Sequence, residues 1–246
     1  MIPKIIHYCW LSNDPYPPKI AQCIESWKKK LPDYEFINWN FCKIRKQDYK
    51  WVSDAYDNKR YAYAADYLRA YAVYNYGGIY LDTDVEVLKS FDDLLKYPYF
   101  MCYEYKKNQI EAATFGAEKG FKLLKDIIDY YDNSSFIKED GSFNEIVMPI
   151  IFKDLINKKY RQISINNPIE IDNHQECICV LPWDYFSPKS ASTGVIEISS
   201  RTYSVHHFTA TWLPWYALAE RKFCHFWGLR NRSIIQGLIK CIKKLH

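Results

Sequence analysis

The chain has 246 residues, with 33 Lys and Arg against 29 Asp and Glu, and its 48% hydrophobic and 25% charged content is that of an ordinary globular protein. This excludes a disordered tail or fibrous class, and the length suits one α/β domain with a full-sized core, or at most two small lobes. The net charge of +4 is unevenly spread: no acidic residue follows Glu220, and without the seven basic residues beyond it the body carries 26 basic and 29 acidic side chains.

Met1 leads directly into Pro3-Lys4-Ile5-Ile6-His7-Tyr8-Cys9-Trp10, with no basic segment followed by a long apolar run. No apolar stretch reaches the roughly 18 to 20 residues needed to cross a bilayer, so a cytoplasmic or peripheral protein is expected. Ile5 to Cys9 predicts a strand. Pro17-Pro18 then opens a helix with Ile20, Ile24 and Trp27 at helical spacing, and Tyr34 to Trp39 alternates as a second strand. This β-α-β opening predicts a parallel sheet.

From Tyr61 to Tyr76 the chain is rich in Ala, Tyr and Leu and stops at Gly77-Gly78, as a buried helix with a glycine end does. Ile79-Tyr80-Leu81 predicts a strand that ends in Asp82-Thr83-Asp84, followed by an edge strand at Val85-Glu86-Val87. Further on, helices are expected at 121–131 and 144–157, strands at 177–181 and 202–208, and a Trp-rich helix after Pro214. Beyond Leu229, Ile235, Leu238, Ile239 and Ile242 share a helical face beside Lys240, Lys243 and Lys244. The expected division is therefore a catalytic domain over 1–228 and a basic amphipathic helix over 229–246. That helix has two destinations, the domain itself or an anionic membrane surface. The eight cysteines, Cys9, Cys23, Cys42, Cys102, Cys177, Cys179, Cys224 and Cys241, form no C-x-x-C pair. They read as reduced thiols and argue against a structural zinc site.

Two carboxylates two residues apart at the carboxyl end of an apolar strand each need a partner to offset desolvation, and a divalent cation is a natural one. Open α/β sheets bind ligands outside the carboxyl ends of their strands, where Trp10 and Asp82 to Asp84 both fall. Asp66 and Arg69 share one face of the preceding helix. They form either a buried ion pair bracing that helix or a site in which Arg69 meets phosphate or sugar oxygens and Asp66 accepts from sugar hydroxyls.

Ala64-Ala65-Asp66-Tyr67-Leu68-Arg69 and Tyr76-Gly77-Gly78-Ile79-Tyr80-Leu81-Asp82-Thr83-Asp84-Val85-Glu86-Val87 closely resemble the DXD-containing sugar-binding region of glycosyltransferase family 32. The opening to Trp10, the Ser26-Trp27 and Pro32-Asp33-Tyr34 region and the segment Tyr203 to Trp212 also look like that family, and the pattern is similar to the catalytic domains of the large clostridial glucosylating toxins. The resemblance implies a GT-A-type α/β fold with a mostly parallel central sheet, flanking helices and a C-terminal helical segment. It implies that Trp10 stacks a nucleobase, that Asp66 and Arg69 grip the donor sugar, that Tyr80 and Asp82 contact ribose and sugar, and that Asn144 lies near the sugar. It also implies that Asp84 and Asp82 hold a metal, Mn²⁺ or Mg²⁺, with His207 as a further ligand and the neighbouring His206 as its competitor, since adjacent strand residues face opposite ways. The resemblance further implies that Trp212 covers the diphosphate.

The function so implied is metal-dependent, retaining transfer from a nucleotide-sugar, UDP-sugar favoured, to a glycan or lipid-linked oligosaccharide in surface polysaccharide synthesis. Such an enzyme would sit in the cytoplasm or peripherally on the inner face of an anionic membrane. A haloacid-dehalogenase-type phosphatase is the enzymatic rival, but Glu86 breaks its D-x-D-x-T/V pattern. A non-catalytic sugar-binding relative is the other. The basic tail carries no recognisable reading motif, so nucleic acid is not an expected partner.

Overall fold

The structure is a computed structural model that describes residues 1–12, 14–171 and 176–209. The helices expected after Pro214 and over 229–246, together with Trp212, lie outside the described residues.

Strand β1 (Ile5–Cys9), helix α1 (Pro18–Lys30) and strand β2 (Glu35–Trp39) form the expected β-α-β unit, with Pro18 at the first helical position. Helices α2 (Lys50–Asp57) and α3 (Tyr61–Tyr76) follow, then strand β3 (Gly78–Leu81) and strand β4 (Val85–Val87). Strands β5 (Tyr99–Phe100) and β6 (Thr114–Ala117) precede helices α4 (Lys122–Asp132) and α5 (Met148–Lys159). Strands β7 (Arg161–Ser164), β8 (Cys177–Val180) and β9 (Ser204–His206) complete the described chain. The segment 144–147, expected to be helical, is extended loop; α5 begins only at Met148, with Pro149 in its first turn.

The central sheet has five strands in the order β2-β1-β3-β6-β5. β1 runs parallel to both β2 and β3, while β6 and β5 add an antiparallel edge. Two pairs stand apart from it: β4 with β9, antiparallel, and β7 with β8, parallel. Helix α3 packs against α2, α4 and β1. It is buried from Tyr63 through Ala70, as a helix with no polar face must be.

The α3–β3 junction requires its glycines. Gly77 and Gly78 adopt φ of 67° and 111°, and a Cβ on Gly78 would stand 2.7 Å from the Ile5 carbonyl oxygen of the adjacent strand. The six described cysteines are all free. Among the described residues, no helix is long and apolar enough to cross a membrane.

Candidate active site

The acidic turn is fixed from both ends. The chain leaves β3 at Asp82, whose N–H donates to the Ala113 carbonyl (2.9 Å), and Val85 N–H turns back onto the Asp82 carbonyl (3.0 Å). Beyond the turn, β4 is held by α1 on one side: Trp27 Nε1 donates to Val85 O (2.7 Å), and Val87 N–H to Ser26 Oγ (2.9 Å). On the other side β9 pairs with it, placing His206 opposite Val85. A strand distant in sequence thus delivers its last residue to the carboxylates.

Ligand atoms of Asp82, Asp84 and His206 all lie within 4.8 Å of one another. His206 Nε2 is 3.4 Å from Asp84 Oδ1, while its Nδ1 faces Glu111 Oε1 at 3.3 Å. Asp84 Oδ2 accepts from both the N–H (2.7 Å) and the hydroxyl (3.0 Å) of Thr209. Burial pushes the Asp84 carboxyl up, but His206 and Thr209 outweigh it and hold it below the ordinary range. For His206, burial disfavours the imidazolium, yet Asp84 and Glu111 reverse that and hold its pKa well above the usual value. Asp82 is raised by burial, with Arg69 opposing. Oxygen donors with one imidazole suit a hard divalent cation such as Mn²⁺ or Mg²⁺. Asp82 stays partly exposed, so the cluster keeps a side open to solvent.

The histidine assignment is corrected by this geometry. His207 points to the opposite side of the strand, where its Nε2 meets Glu86 Oε2 at 2.7 Å, and Lys19 also reaches Glu86 (3.3 Å). His206 takes the place beside Asp84 because adjacent residues of an extended strand alternate faces.

Arg69 joins the two halves of the site. Its Nη2 is 3.0 Å from Asp66 Oδ1 and 3.2 Å from Asp82 Oδ1, and its Nη1 donates to the Ala112 carbonyl (2.8 Å). The guanidinium lies over the Tyr80 ring, 4.7 Å from its centroid, and the Tyr80 hydroxyl donates to Asp82 Oδ1 (2.8 Å). Of the two readings of Asp66 and Arg69, the buried ion pair is what the structure shows, and that pair also reaches the acidic turn. Arg69 Nε is buried without a hydrogen-bond partner. Burial pushes the Asp66 carboxyl up to about 6, with Arg69 opposing.

Tyr80 is buried and its hydroxyl is committed to Asp82, rather than displayed for a ribose. Trp10 follows β1 directly, half-buried, with its ring 5.1 Å from that of Tyr16 in an edge contact and its Nε1 donating to Asp14 O (2.9 Å). Asn144 sits in the loop before α5, its N–H donating to Phe136 O (2.7 Å), and the residue after that loop whose N–H reaches Asp66 is Met148. Thr209 and Glu111 were missed by sequence reasoning. Thr209 lies inside the late segment already singled out, whereas nothing in the sequence around Glu111 marks it.

Residues 17–101 match the family described as glycosyltransferase sugar-binding region containing DXD motif. The chain is 35% identical over 131 residues to inositol phosphoceramide mannosyltransferase 3 of Schizosaccharomyces pombe, covering 52% of this chain and 36% of that protein. It thus spans about a third of that relative's length. An uncharacterized glycosyltransferase of Acanthamoeba polyphaga mimivirus is 25% identical over 226 residues, covering 87% of this chain and 85% of its own. Among solved structures, PaToxG glycosyltransferase superposes with a TM-score of 0.51 at 19% identity, over 64% of this chain and 70% of its own. The resemblance carried by Ala64 to Val87 is borne out: the chain is similar to the DXD-containing glycosyltransferases, and its fold is a GT-A-type α/β domain.

Proposed function

We propose that this chain transfers a hexose from a nucleoside-diphosphate sugar to a hydroxyl of a glycan or lipid-linked acceptor, using a divalent cation held by Asp82, Asp84 and His206, with retention at the anomeric carbon. The observation that carries this reading is the convergence of those three side chains within 4.8 Å, beside the buried Asp66–Arg69 pair. When bound, Mn²⁺ or Mg²⁺ supplies positive charge to the diphosphate that leaves as the glycosidic bond to phosphate breaks.

Arg69 adds fixed positive charge in a buried setting, where it acts more strongly than in water. Its pairing with both Asp66 and Asp82 keeps the guanidinium oriented before substrate arrives. Asp66, ionised above a pH of about 6, accepts hydrogen bonds from sugar hydroxyls. Retention follows from the family resemblance. Because Asp66 and Asp84 are both engaged by hydrogen-bonding or ionic partners, same-face attack by the acceptor hydroxyl, assisted by the leaving phosphate, suits this site better than a free carboxylate nucleophile.

Two donor readings stand side by side. The family resemblance favours a UDP-sugar, and the relative named as a mannosyltransferase favours a mannosyl donor. That relative's name, with its inositol phosphoceramide acceptor, also supports a lipid-borne hydroxyl as acceptor here. A panel of UDP- and GDP-sugars, assayed for slow hydrolysis with Mn²⁺ and with EDTA, tests the class and selects the donor. Metal-dependent nucleotide release that Asp84→Ala abolishes is expected. Release that persists in EDTA and in Asp84→Ala would overturn the cation-site reading.

A further inference from the structure

The structure places a buried carboxylate, Glu111, behind the histidine of the cation site. We infer that Glu111 is a positioning residue that fixes the tautomer and orientation of His206, so that Nε2 is the ring nitrogen offered to the cation. This inference rests on the cation site proposed above and adds a residue to it.

Three observations support it. First, His206 presents Nε2 toward Asp84 and the acidic turn and Nδ1 toward Glu111 Oε1, at 3.4 and 3.3 Å. The two ring nitrogens are thereby assigned opposite sides. Second, Glu111 is itself immobilised, only 2% exposed: its Oε1 accepts from the Ala113 N–H (2.9 Å) and its Oε2 from the Ser187 hydroxyl. Third, His206 Nδ1 is buried and has no aligned hydrogen-bond partner, so the 3.3 Å approach to Glu111 is close but off the line of a full bond.

The chemistry follows from imidazole. A ligating nitrogen must present its lone pair, so the other nitrogen carries the proton and needs an acceptor. Glu111 is the acceptor on that side, with its Oε1 3.3 Å from Nδ1. Carboxylates in this position behind ligating histidines commonly change metal affinity by about 10- to 100-fold when removed. Glu111 also links the site to β6: Ala112 O receives Arg69 and Ala113 O receives the Asp82 N–H, so one short segment sets three members of the site.

A double-mutant cycle on Mn²⁺ binding to the purified protein, read by electron paramagnetic resonance of free Mn²⁺, tests the inference. Glu111→Gln is expected to weaken Mn²⁺ binding about 10- to 100-fold in the wild-type background and by less than about twofold in a His206→Asn background. A purely structural role would weaken binding equally in both backgrounds, and that result, or an unchanged affinity in Glu111→Gln, overturns the inference. Thermal unfolding checks that the variants fold. Should Glu111→Gln fail to fold, Ser187→Ala, which removes only a bond to Oε2, takes its place, with a smaller loss in the same direction expected and no loss counting against it. Failure of the wild-type protein to bind Mn²⁺ would remove the cation site, and Glu111's role with it. Binding by wild type with a flat cycle removes Glu111's role alone.

Discussion

Between the neighbours His206 and His207 the structure makes a choice that substitution can read directly. His206→Ala removes a cluster member and is expected to lower Mn²⁺-dependent turnover by about 100-fold, the scale of losing one group that stabilises charge in the reacting complex. His207→Ala touches only the Glu86 side and is expected to stay within about threefold, measured at saturating Mn²⁺. Arg69→Lys keeps the charge but loses the fork that spans Asp66, Asp82 and Ala112, so a loss of about 100-fold in kcat is expected from a protein that still folds. The pH behaviour of Asp66 has a definite sign. Its folded-state value of about 6 lies above the ordinary 3.8, so the native protein holds this proton more tightly, and the stability linked to it is present below about pH 4 and lost as pH rises through about 6. Thermal unfolding of wild type and Asp66→Asn in EDTA should show the variant gaining relative to wild type by up to about 3 kcal/mol across that window. A gap that is flat or narrows the other way would contradict the burial argument. Asp66, Arg69, Asp82 and Asp84 were legible as residues because charged groups are rare on apolar elements. The identity of the histidine was not, because choosing between adjacent strand residues needs the register of β9 on β4, which no local pattern contains.

Elements bring those residues together through a few contacts that can be broken one at a time. The α3–β3 junction depends on the backbone freedom of Gly78, with φ of 111° and the Ile5 carbonyl oxygen at its back. Gly78→Ala is expected to destabilise by about 2 kcal/mol or more, seen as a lower midpoint in urea, and an unchanged midpoint would show that the strand pair can yield there. The sequence revealed β1, α1, β2, α3 and β3 well, through the period of α1 and β2, the apolar runs of β1, α3 and β3, and the prolines and glycines near their ends. It misplaced the start of α5, because the apolar residues Ile146 and Val147 continue a helical-looking run through what is extended loop ahead of Pro149. The antiparallel edge of β6 and β5 was equally hidden, since a two-residue strand such as β5 has no period to read.

At the scale of the molecule, the first half of the chain supplies the β-α-β frame and the acidic turn, and the last described strand closes the site from β9. On the function proposed above, this closure builds a divalent-cation site for a nucleoside diphosphate. The most direct test is calorimetric titration of UDP and of GDP into the full chain, in Mn²⁺ and in EDTA, for wild type and Asp84→Ala. At least one nucleotide is expected to bind in Mn²⁺, with binding abolished by EDTA and lost in Asp84→Ala, which remains folded. Nucleotide binding that is equally tight in EDTA, or that survives Asp84→Ala in Mn²⁺, would contradict it.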